Sequence, residues 1–91
     1  MSEYTIESFT PKNITATTAI TTVACVMMGF YVNSTTGGTL VFRDGGASGT
    51  ILDGTITPVI GWHRFPALIG TSLHATIANT LDVTIFYQGA S

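Results

Sequence analysis

Charge is what this 91-residue chain has least of. Three basic residues, Lys12, Arg43 and Arg64, face five acidic ones, Glu3, Glu7, Asp44, Asp53 and Asp82, so charged side chains are 9% of the sequence and the net charge is -2. An ordinary soluble domain carries about 25%. Without a basic patch there is nothing to grip a phosphate backbone, and nucleic acid is excluded as a partner. Cys25 is the only cysteine; it forbids an internal disulfide and cannot alone make a zinc site. Its neighbours in VACVMM are apolar, so the thiol reads as structural. His63 and His74 are the only imidazoles, and neither lies in a motif that pairs it with a nucleophile and an orienting group. Each is expected to face solvent or a neighbouring subunit. Asp44, Asp53 and Asp82 each lie beside a turn signal or a strand start, where turn chemistry explains them, and they are too scattered for a Ca²⁺ site. No catalytic residue, metal ligand or cofactor is expected.

A membrane span is lacking too. The most apolar segment, AITTVACVMMGFYV over residues 19 to 32, is shorter than the roughly 20 residues a spanning helix needs and is broken by Thr21, Thr22 and Gly29. It reads as a buried strand, and no membrane partner is expected. The opening MSEYTIESF has acidic residues and no apolar core of a signal peptide. The sequons at Asn13 and Asn33 read as accidents of a Thr-rich chain.

What is present is the vocabulary of β-structure. From Asn13 onward Thr, Val, Ile and aromatics are interrupted by Gly and Asn, with no credible amphipathic helix. Strands are expected near 13 to 19, 21 to 33, 38 to 43, 50 to 57, 63 to 69, 72 to 78 and 81 to 88, separated by NSTTGG, DGGASG, PVIG, GTS and ANT. In TLVFRDGGASGTIL, the glycine-rich loop lacks the Lys, the closing Ser/Thr and the following helix of a phosphate-binding loop, so it reads as a hairpin turn. The fold class that follows is all-β: a single small antiparallel β-sandwich or jelly-roll-like domain over residues 13 to 91. Residues 1 to 12 form an extended N-terminal arm with Tyr4, Ile6 and Phe9 as apolar anchors. Alternation places Leu40, Phe42, Leu73, Ala75, Ile77, Leu81, Val83, Ile85 and Tyr87 in the core.

The long strand is apolar on both faces. Ala24, Val26, Met28, Phe30 and Val32 make one row, and Val23, Cys25, Met27 and Tyr31 the other. A small sandwich has one inner face to fill, so the second row is expected to be covered by another subunit. Val23, Cys25, Met27, Tyr31, Val41 and Phe86 are therefore the expected subunit interface, with Ile51 adding to the outward apolar surface. Tyr31, Trp62 and Phe86 could alternatively serve as a sugar-binding platform, with core or interface packing the expected use of these rings.

The order of motifs also carries a resemblance. GFYVNSTTGGTLVFRDGGASGTIL followed by GWHRFPALIGTSLHATIANTLDVTIFYQG is similar to small β-sandwich proteins encoded by tailed bacteriophages and prophages, over roughly residues 29 to 88. The chain departs from that pattern after GWH, where Arg64-Phe65-Pro66-Ala67 stands in place of a Leu-Pro-Phe run, and at Ala78-Asn79-Thr80, which lacks a glycine. The resemblance implies a non-enzymatic virion structural protein, a capsid decoration or cement protein on the outer surface of the head. Its partners would be the major capsid protein lattice and its own copies, as a homotrimer or a dimer, with the arm reaching along the shell. A tail, baseplate or fibre subunit, or a virion-surface carbohydrate-binding module, is the alternative.

Overall fold

The computed structural model describes residues 9 to 89. Six strands follow in chain order: β1 (Thr10–Ile14), β2 (Thr18–Ala19), β3 (Cys25–Asp44), β4 (Thr50–Ile51), β5 (Gly61–Ile69) and β6 (Leu73–Gly89). All belong to one antiparallel sheet, in which β6 pairs with β1 and β2 on one side and with β3 on the other, while β3 carries β5 and β4 on its far edge. The class is all-β, as the β-branched composition requires.

Two expected breaks do not occur. The NSTTGG and ANT segments, read as turns between separate strands, instead lie opposite one another inside the continuous β3–β6 ladder, which runs from Cys25↔Gly89 to Asp44↔Leu73. Their turn chemistry is used to bend the ladder. Register shifts fall at Val32/Ser34 and Thr36/Gly37, and both Gly37 and Asn79 adopt φ of 63°, a conformation that glycine and asparagine tolerate best. The Asn79 amide then donates to the Gly37 carbonyl at 2.9 Å, holding the two bent strands together.

The bend brings the halves of β3 back over each other. Phe30 and Phe42 would stand about 40 Å apart on a straight strand, yet their ring centroids are 5.3 Å apart. Phe65 of β5 stacks on the other side of Phe42 at 5.7 Å. Around this trio one core collects Ile14, Ile20, Cys25, Met27, Val32, Leu40, Ile69, Leu73, Ala75, Leu81, Val83 and Ile85. Ile77 and Tyr87 pack against it, so the core expected from alternation on β6 is found where it was placed.

The faces of β3 need correction. Cys25 and Met27 are buried in the core, not outward at an interface. A β-bulge between Met27 and Gly29 shifts the register against both β5 and β6, and one extra residue exchanges the faces of everything beyond it. Cys25 and Met27 therefore point inward with Phe30 and Val32, while Val26, Met28 and Tyr31 face out. Val41 is also only 9% exposed and offers no interface area. Thr10, Pro11 and Lys12, assigned to the arm, belong to β1 and pair with Tyr87, Phe86 and Ile85. Tyr4 and Ile6 lie outside the described residues; Phe9 is half-buried.

Because β3 folds back, its two ends meet at one end of the molecule, here called the open end. Asp44 staples it: its carboxylate accepts from the amides of Gly70, Thr71 and Ser72 at 2.9, 2.9 and 3.2 Å. Those bonds, that from Gly70 foremost, hold the Asp44 carboxyl below the usual carboxylate range. Thr21 joins the same region, accepting from the Leu73 amide at 2.9 Å and donating to the Val23 carbonyl at 2.7 Å, with Cys25 Sγ 3.7 Å away. Burial pushes the Cys25 thiol up, in keeping with a structural role.

Candidate functional site

The bulge that hides Met27 also builds the outer face. Strands β1, β6, β3 and β5 lie side by side there, and strand register aligns one residue from each: Asn13 opposite Thr84, Thr84 opposite Tyr31, and Tyr31 opposite Trp62. In the next row Phe86 pairs with Gly29 on one side and Pro11 on the other.

Gly29 makes the surface concave. A Cβ there would collide with the His63 carbonyl oxygen and lie 3.0 Å from the Trp62 indole. Without it the indole lies across β3 and meets Phe86 edge-on, centroids 5.5 Å apart at 72°, a favoured aromatic geometry. Met28, Tyr31, Trp62 and Phe86 line the resulting open groove, of about 380 Å³. Tyr31 and Trp62 remain 43% and 44% exposed.

On the strands beyond Tyr31, outside the groove itself, the row turns polar. Asp82 Oδ1 accepts from Asn13 Nδ2 at 2.7 Å and from Asn33 Nδ2 at 3.1 Å. Both amides also donate to Thr84 Oγ1 at 3.2 Å, and Asn13 reaches the Val83 carbonyl at 3.3 Å. The four side chains hold one another in fixed orientations next to Tyr31. Two features read separately as sequon accidents and a third read as turn chemistry thus form a single cluster. Alternation contained the signal, since Asn33 is two residues past Tyr31, and Asp82 and Thr84 are in phase with Phe86.

Of the six expected interface residues, the structure brings only Tyr31 and Phe86 together, in this groove. Val23 is 53% exposed and precedes β3 at the open end; Leu68 and Ile51, 81% and 48% exposed, lie on strands near the same end. Leu68 pairs with Val26, and Ile51 with Arg43. Neither histidine points freely into solvent. His63 stacks on Phe30 at 5.1 Å and its Nε2 lies 2.7 Å from the Val59 carbonyl oxygen; His74 is 7% exposed, with Nδ1 3.5 Å from Thr76 Oγ1.

Among the described residues no three His, Cys, Asp or Glu side chains gather as metal ligands, and no helix is long and apolar enough to cross a membrane. No protein-family model, characterised protein or solved structure matches the chain.

Proposed function

We propose that this protein is a non-enzymatic structural subunit of a tailed-phage virion: a capsid decoration, or cement, protein that binds the outer face of the assembled head as a homotrimer. The folded sheet serves as its jelly-roll-like sandwich. The observation that carries the reading is the open end, near which Val23, Ile51 and Leu68 expose 53, 48 and 81% of their surface and where Asp44 holds the Gly70–Ser72 turn. Exposed aliphatic side chains of this size, in a chain with so few charges, favour a surface that is covered in the working state. The phage-like motif order over residues 29 to 88 supplies the kind of particle.

The physical task suits a small module. A shell under internal pressure gains stability when outside proteins bridge its capsomers and add buried area that must be lost before they separate. Many copies give avidity without tight single contacts. Tyr4 and Ile6, ahead of β1, would add apolar side chains able to fill pockets on the shell.

Co-sedimentation with preformed heads lacking this protein tests the reading. Wild type should pellet with the heads. Leu68→Asp and Val23→Asp should melt like wild type and remain in the supernatant, because an unpaired charge pressed into an apolar contact is costly while an exposed one is not. Wild type that fails to pellet, or variants that bind undiminished, would reject it.

A further inference from the structure

We propose that the row Asn13, Thr84, Tyr31 and Trp62, flanked by Asn33 and Asp82, is a glycan-binding site that takes a segment of neutral polysaccharide built from pyranose units with free hydroxyls. The inference is independent of the capsid reading and concerns a different part of the surface. On β3 the row's Tyr31 is five residues, about 16 Å, from Val26, which pairs with Leu68.

A pyranose ring presents two chemistries at once. Its C–H bonds form an apolar face with slight positive charge, which suits the negative face of an aromatic ring, and its hydroxyls form a rim of donors and acceptors. The row is divided in the same way. Tyr31 and Trp62 supply exposed rings on adjacent strands, with the indole fixed by its edge contact to Phe86 and by the missing Cβ of Gly29. Thr84, Asn13, Asn33 and Asp82 supply hydroxyl, amide and carboxylate groups on the strands beyond. Two strand spacings separate Thr84 from Trp62, about 9.6 Å, roughly the length of a disaccharide.

The cluster is also oriented. Asp82 and Thr84 take the nitrogens of both amides as donors, which leaves the two amide oxygens as acceptors for sugar hydroxyls. Side chains already held by one another lose little freedom on binding. A purely apolar protein surface on the same row would strip water from two amides and a carboxylate without replacing their hydrogen bonds. A sugar replaces them.

The chain carries one tryptophan, Trp62, so its emission reports on this site alone. Titrating the full-length protein with cellohexaose, maltohexaose and chitohexaose should give a saturable change in Trp62 emission with at least one of them. Trp62→Ala, followed by calorimetry, and Asn33→Ala should each weaken that binding by at least about tenfold. Asn33 is exposed, so its variant should melt like wild type and keeps the test intact if the Trp62 variant folds poorly. No saturable response to any of the three sugars would overturn the proposal, as would undiminished binding by both variants. Loss of head binding in Trp62→Ala without any sugar response would put a protein on this face and equally reject it.

Discussion

Phe30 and Phe42 lie on the same strand, twelve positions apart, and their rings touch at a centroid distance of 5.3 Å. That contact exists only because β3 bends at the Asn33-to-Gly38 segment, so it reports on the fold of the whole sheet and not on a local cluster. Phe42 is fully buried and is stacked by Phe65 on its other side. Phe42→Ala should therefore cost about 3–5 kcal/mol as a large-to-small core change, read from urea unfolding. A loss below about 1 kcal/mol would mean that the two halves do not share a core.

Neighbouring residues on β6 should separate sharply. Ile85 is completely buried, and Ile85→Ala is expected to cost about 2–5 kcal/mol. Thr84 faces out and is half-buried, so Thr84→Ala should lower the melting midpoint far less. Equal shifts would show that the inner and outer faces have been exchanged.

The bulge makes an equally sharp contrast on β3. Met27 is completely buried and Met28 lines the open groove. Met27→Asp buries an unpaired charge at a cost of several kcal/mol, comparable to the whole stability of a small domain, and should leave the chain unfolded by far-ultraviolet circular dichroism. Met28→Asp should fold. The reverse outcome would remove the bulge between Met27 and Gly29 from the account.

This is also where reading the sequence stopped. Strict alternation along β3 assigns Met27 outward and Met28 inward, because a bulge leaves no mark in hydrophobic pattern. Phe30 and Val32, in contrast, keep the phase that alternation gives them, and the β6 core is legible because Leu81, Val83 and Ile85 keep one phase throughout. The bend is half legible: NSTTGG and ANT read as turn chemistry, but only long-range pairing tells a strand end from a kink. Asn13, Asn33 and Asp82 are 20 to 69 positions apart along the chain, and nothing local connects them until the register of β1 and β3 against β6 is known.

The open end gives a pH signature. Hydrogen bonds from Gly70 and Thr71 lower the Asp44 pKa from its ordinary 3.8. A carboxylate with a depressed folded-state pKa contributes stability that is present above 3.8 and is lost as pH falls through the folded value. Asp44→Asn should therefore melt below wild type at pH 7, and the gap should narrow as pH falls below 3.8. Asp53 runs the other way: burial raises its pKa, so its contribution declines as pH rises from 3.8 through the raised value. A gap between Asp44→Asn and wild type that is constant from pH 7 to pH 2 would exclude the staple.

The most direct test of the proposed role is a particle reconstruction made with and without this protein. The expected difference density is a set of copies at regular positions on the outer face of the head, each touching the shell through the end that carries Val23, Ile51 and Leu68. Difference density confined to the tail, or particles identical in its presence and absence, would contradict the assignment as a capsid decoration protein.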